Sequence, residues 1–113
     1  MAENWLRGRL GDAGGAPATG ELVEQLAAFG GVVVEQIRSG ALGAPIDYEQ
    51  ADDEWVLLLT GAATLTVAGK TVELVAGDWL FLPAGLPHRL VRTQPGSSWL
   101  AVYRATGSGS YPR

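Results

Sequence analysis

From residue 32 to residue 104 the chain is a succession of short runs rich in Val, Leu, Thr and Trp, cut at close intervals by Gly, Pro and Asp. Runs of this kind, returning about every eight to twelve residues, read as strands that must find partners in one another. The strands are expected near 32–38, 45–50, 54–60, 63–67, 70–75, 79–82, 88–93 and 98–104. So many short strands joined by tight turns close into a sandwich or barrel, which makes the fold class all-β. One helix is expected ahead of them. Glu21 to Phe29 carries apolar residues at 22, 23, 26 and 29 with an acid in its opening turn, and Gly30-Gly31 would stop it.

One hairpin can be written down residue by residue. With Ala68-Gly69 as the turn, Val67 faces Lys70, Leu65 faces Val72 and Ala63 faces Leu74, so the apolar side chains share one face. Thr64, Thr66, Thr71 and Glu73 share the other. Sliding either strand by one residue would mix the two sets, which is why the pattern selects this register. Ala-Gly is a weaker turn than Asn-Gly, and a type I turn with Gly69 in a bulge is the alternative.

Composition bounds the function. A chain of 113 residues, 47% hydrophobic and 18% charged, holds one domain with its own core. It has no cysteine, which excludes a disulfide scaffold, a thiolate metal site and a Cys nucleophile. The net charge of −4 leaves no basic face for a phosphate backbone, so nucleic acid is not an expected partner. Acids concentrate at Asp47, Glu49, Asp52, Asp53 and Glu54. The apolar runs fall far short of the ~20 residues of a membrane helix, and the opening MAENWLRGRL has no signal-peptide core. No membrane association and a cytoplasmic location are the expectations. Residues 1–20, with GDAGGAPATG at their end, are expected to be a flexible N-terminal segment, 21–104 the folded domain and 105–113 a disordered tail.

The segment GDWLFLPAGLPHRLVR, from Gly77 to Arg92, carries most of the functional signal. Pro83 removes an amide donor where a strand must stop, Gly85 permits a backbone turn closed to other residues, and Pro87 stiffens the approach to His88. The only histidine of the chain therefore begins a strand behind a rigid loop. By alternation His88, Leu90 and Arg92 would share one face, and Glu54, Val56 and Leu58 one face of theirs. If both faces turn inward, an imidazole, a carboxylate and a guanidinium meet. The plainer alternative is an interior Glu54–Arg92 ion pair, with His88 only hydrogen-bonded.

The glycine, proline, glycine and histidine at 77, 83, 85 and 88 follow G-x5-P-x-G-x2-H, and Glu54 precedes Gly61 by the spacing E-x6-G. This pair of motifs resembles the two motifs of the cupin superfamily, over about residues 40–102. The resemblance implies a cupin-type double-stranded β-helix, a jelly-roll barrel, here with one short N-terminal helix. It departs from the family pattern in two places. Arg92 stands where the second motif usually ends in Asn, and the H-x-H of the first motif is missing. In one alignment Tyr48 and Gln50 take the two histidine positions. In the other they are Asp47 and Glu49, which with Glu54 and His88 would form an oxygen-rich metal site. The first is preferred, because YEQADDEWVLLLTG looks like a subgroup of small bacterial cupins with an acidic turn at Asp52-Asp53.

The expected site is thus a polar pocket in the barrel lined by Tyr48, Gln50, Glu54, His88 and Arg92, in a small-molecule-binding cupin of unassigned role. Arg92 suggests an anionic ligand, since a buried guanidinium anchors carboxylate or phosphate. The alternative is a metal-dependent oxygenase, lyase or isomerase acting on a small acid or sugar derivative. Its divalent metal (Mn, Fe, Ni or Zn), if present, would be held by Glu49, Glu54 and His88, the last two as minimum ligands. A metal-free enzyme would use His88 as acid or base and Glu54 to orient it. In either case the chain is expected to be a homodimer, with the barrel face and residues 1–10 available for pairing.

Overall fold

A computed structural model describes residues 5–11 and 15–104. Nine strands occur among them: β1 (Glu21–Phe29), β2 (Val32–Ser39), β3 (Ile46–Tyr48), β4 (Glu54–Thr60), β5 (Ala62–Val67), β6 (Lys70–Val75), β7 (Trp79–Leu82), β8 (His88–Thr93) and β9 (Ser97–Arg104). They form a five-stranded sheet in the order β1-β2-β9-β4-β7 and a four-stranded sheet in the order β3-β8-β5-β6. Every strand pair is antiparallel. The two sheets pack face to face in a jelly roll, and the expected tail at 105–113 lies outside the described residues.

The expected helix at Glu21–Phe29 is a strand, and no α-helix occurs among the described residues. Its apolar spacing is helix-like because β1 is bulged. The register to β2 shifts between Gln25 and Ala27, so the inward side changes parity part-way along the strand. Gly30 and Gly31, with φ of 54° and 80°, form a two-residue hairpin turn that sets Phe29 against Val32. Two positive φ values are what the right-handed twist of a hairpin favours, and glycine adopts them without steric cost.

The eight other strands fall within a few residues of expectation, and the β5–β6 register is the one written from the alternation, Leu65 opposite Val72 and Ala63 opposite Leu74. Its turn also has two positive φ values, at Ala68 (50°) and Gly69 (78°), so the tight two-residue form holds and not the bulged alternative. Inward-facing Ile37, Val56, Leu58, Leu65, Leu74, Leu82, Leu90 and Trp99 build the core between the sheets. Leu58 and Ala101 are fully buried at its centre.

Loops fix both ends of the barrel, the Gly61 turn lying at the end away from His88. Gly61, at φ 92°, lies against Ser97, whose Oγ donates to the carbonyl of Gln94 (2.6 Å). The 83–87 loop is clamped to the 50–53 loop by the amide of Gly85 on the carbonyl of Gln50 (2.8 Å) and the amide of Ala84 on Asp53 Oδ1 (2.8 Å). The acidic turn is therefore a brace for the loop that delivers His88. Asp53 takes the backbone donor at the surface, while Asp52 is buried.

Candidate functional site

Between the sheets lies a cavity of about 40 Å³ lined by Glu21, Tyr48, Glu54, His88, Trp99 and aliphatic side chains that include Val56, Leu65, Leu82 and Leu90. Its polar groups come from strands far apart in the chain. Glu54 opens β4 and is 2% exposed; Gln50, in the loop just before it, donates Nε2–H to Glu54 Oε1 at 2.7 Å. His88 opens β8 and is 7% exposed. Tyr48 ends β3 directly opposite it, and the two rings stack at 5.4 Å with planes 18° apart.

His88 Nδ1 lies 3.0 Å from the carbonyl oxygen of Leu86. A carbonyl only accepts, so Nδ1 carries the proton, and in the neutral ring Nε2 holds the lone pair. The loop thereby sets both the place and the tautomer of the imidazole. This is the arrangement that acid–base chemistry or ligand coordination through Nε2 requires.

Glu21 is the residue the sequence reading missed. It accepts a hydrogen bond from Ser39 Oγ (2.9 Å) and one from the Tyr48 hydroxyl (3.3 Å), while Trp99 Nε1–H donates to Ser39 Oγ (3.2 Å). A carboxylate at the start of a supposed helix reads as a solvated end. In a strand, the alternation of Glu21 with Val23 is the signal that turns it inward.

Arg92 is not in this cavity. The β5–β8 register slips between Thr64 and Leu65, pairing Leu65 with Leu90 but Thr64 with Arg92, and Val91 is the extra residue. The bulge breaks the alternation, so Leu90 points inward and Arg92 outward, exposed in a surface hollow beside Thr64 and Glu73. Thr93 takes the inward direction instead and donates to the carbonyl of Gly40 (3.0 Å). The expected grouping of Arg92 with His88 and Glu54, and the interior Glu54–Arg92 pair with it, is therefore replaced by Glu21.

Of the two alignments at 47–50, the structure turns Tyr48 inward and Gln50 toward Glu54, and leaves Asp47 and Glu49 exposed. Asp47 pairs with Arg89 outside the sheet at 2.7 Å. The hydrogen bond and charge of Arg89 hold its carboxyl below the ordinary value, and the partnership raises Arg89 in turn. Glu49 lines a separate outer hollow with Asp47 and Arg89, so it does not join Glu54 inside the barrel. Among the described residues no group of three or more His, Asp or Glu side chains is placed to hold a metal ion. Tyr48, a phenol stacked on His88, and Gln50, an amide that donates to Glu54, are a poor donor set for a divalent ion.

The cupin domain profile matches residues 33–103. The chain belongs to the cupin family. Among solved structures, this cupin is similar to a protein of Ralstonia eutropha JMP134 provisionally named a mannose-6-phosphate isomerase. The two are 30% identical, with a TM-score of 0.72, over 88% of this chain and 100% of the other. It also resembles KdgF from a Halomonas species at 16% identity and TM-score 0.70, over 79% and 82% of the two chains. A conserved Streptococcus pyogenes protein of unknown function matches at 21% identity and TM-score 0.68, over 96% and 98%. The last two likenesses speak for the fold alone. No protein of curated function matches the sequence.

Proposed function

We propose that this cupin binds a small, neutral, hydroxyl- or carbonyl-bearing molecule at the barrel cavity, through Glu54, His88 and Tyr48, with Gln50 and Glu21 holding the first and last in place. The observation that carries the reading is the convergence on one cavity of an imidazole of fixed tautomer and two carboxylates. A space of about 40 Å³ admits two or three water-sized groups, since one water needs at least ~10–15 Å³ on this measure. A ligand would therefore insert a single functional group between His88 and Glu54 and rest its remainder at the mouth.

Charge decides the ligand class. The cavity lining contains Glu21 and Glu54 and neither Arg nor Lys. An inserted anion would face two carboxylates without a cation to offset them, whereas a hydroxyl can donate to either. The case for an anionic ligand rested on Arg92, which lies elsewhere.

The 30% identical relative favours a second reading on the same site, proton transfer on a sugar derivative. His88 Nε2 would take or return the proton and Glu54 would orient the reacting hydroxyl. Because no cation lines the cavity, a phosphate would have to remain outside it.

Thermal shift with a panel of neutral aldoses and polyols beside their phosphates and carboxylate analogues tests the proposal. The expected outcome is stabilisation by a neutral member, lost in His88→Ala and in Glu54→Gln. Stabilisation by anions only, or shifts that both variants leave untouched, would refute it. Mn²⁺, Fe²⁺, Ni²⁺ and Zn²⁺ added to tag-free protein are expected to leave the melting temperature unchanged. Stoichiometric binding of one of them would instead support the metal-dependent enzyme.

A further inference from the structure

The bulge that turns Arg92 outward sets it in one row with an opposite charge. Arg92 on β8 pairs with Thr64 on β5, and Thr64 pairs with Glu73 on β6, so the three stand side by side on the outer face of the four-stranded sheet. They line a hollow of about 370 Å³ that Gln94 and Pro95 close on one side. That is within the ~300–1,000 Å³ of clefts that take small molecules. Thr64 is the floor, facing outward yet only 6% exposed between two longer side chains.

The frame of this hollow is fixed. The Gln94 amide donates to the Ala62 carbonyl (2.8 Å), and Thr93 Oγ1 anchors the end of β8 on the carbonyl of Gly40 (3.0 Å). Glu73 is fixed as well. Thr64 Oγ1 donates to its Oε1 (2.8 Å), which leaves Oε2 open to a donor from outside. Arg92 has no partner among the described residues, where the ion pairs are Arg38–Glu24 and Arg89–Asp47. Two strand spacings of ~4.8 Å separate β8 from β6, a gap that an arginine and a glutamate side chain can together span. These two stay out of contact all the same.

We propose that the Arg92–Glu73 hollow binds a small zwitterion, an aminocarboxylic acid whose carboxylate takes the guanidinium fork and whose ammonium takes Glu73. Charge balance selects this class. A lone anion would pair with Arg92 but face Glu73, and a lone cation would meet the reverse, whereas a guest carrying both charges satisfies both ends. The Thr64 hydroxyl gives its proton to Glu73 and still offers a lone pair to the ammonium. A bulge is a usual device for re-aiming a side chain, and here it gives the hollow its cation. Both contacts are open to solvent, so the Kd is on the order of 1 mM. This site stands apart from the barrel reading, since none of its residues lines the cavity.

Amide NMR spectra of the full chain, titrated at neutral pH and constant ionic strength with β-alanine, γ-aminobutyrate, acetate and ethylamine, test it. Saturable shifts at Thr64, Glu73, Arg92 and Gln94 are expected with the two zwitterions, and binding about 5-fold weaker or less with the singly charged pair. Arg92→Gln and Glu73→Gln are each expected to weaken zwitterion binding about 5-fold, and Glu73→Gln to bring acetate level with the zwitterions. Both positions are exposed, and a glutamine at 73 keeps an acceptor for Thr64, so unchanged spectra away from the hollow will show that the variants fold. Asp47→Asn, exposed elsewhere on the same sheet face, should leave binding as it is. No shift at ~50 mM zwitterion, acetate or ethylamine binding the natural chain as tightly as the zwitterions, or binding that either glutamine variant leaves unchanged would overturn the proposal.

Discussion

Gly61→Ala separates a backbone requirement from a packing requirement at the turn between β4 and β5. At φ 92°, any residue with a Cβ is strained, and the left-handed region costs an L-residue roughly 1–2 kcal/mol. The added Cβ would also collide with Ser97 Oγ and stand 2.8 Å from its Cβ and 2.9 Å from its Cα. Ser97 is fully buried and its hydroxyl donates to the carbonyl of Gln94 at 2.6 Å, so it has nowhere to retreat. Overpacking a site of this kind adds about 1–3 kcal/mol, for a total near 3 kcal/mol. Gly69→Ala is the control, because its φ of 78° is comparable but open space surrounds it, leaving a cost of about 1 kcal/mol. At ~4 °C per kcal/mol or somewhat more for a domain of this size, thermal unfolding by circular dichroism should place Gly61→Ala about 12 °C or more below the natural chain. The same measurement should place Gly69→Ala about 4 °C below it. Equal losses in the two variants, or less than 1 kcal/mol for Gly61→Ala by urea titration, would refute the claim that Ser97 forbids a side chain there.

Other perturbations address the core, the site and the surface. Leu58→Ala, at the fully buried centre, should cost about 2–5 kcal/mol in urea unfolding. Tyr48→Phe keeps the ring against His88 but loses the hydroxyl that Glu21 accepts, so a loss of about 1 kcal/mol is expected, with larger losses in Tyr48→Ala. The Asp47–Arg89 pair is exposed and should matter little at neutral pH. Because Arg89 lowers the Asp47 carboxyl below its ordinary 3.8, any stability it contributes is complete above that value and fades as pH falls through the lowered one. The melting difference between the natural chain and Asp47→Asn should accordingly shrink at low pH, and also in 1 M salt.

Much of the architecture was legible before any coordinate. Alternation along 63–74 dictated the β5–β6 register, because one inward face must be apolar and a one-residue slip would bury Thr and Glu. The Pro83–Pro87 loop and the start of β8 at His88 could be read for the same local reasons; alternation put Glu54, Val56 and Leu58 on one face but left open whether that face turns inward. The spacing E-x6-G with G-x5-P-x-G-x2-H sufficed to recognise the barrel. Gly30-Gly31 was read as a stop, which it is, though it stops a strand and reverses the chain.

Three matters were decided only by tertiary structure, and two share one physical cause. A bulge adds a residue to one strand without a compositional mark, and from there on every side chain changes sides. In β1 it gave the apolar residues a helix-like spacing and concealed Glu21; in β8, at Val91, it sent Arg92 out of the barrel. The third is the cavity itself, whose volume depends on how side chains from eight strands close around it. Local pattern determines which residues form strands, because each residue's own alternation and φ preference suffice for that. Which faces meet, and with what left between them, depends on partners distant in the chain.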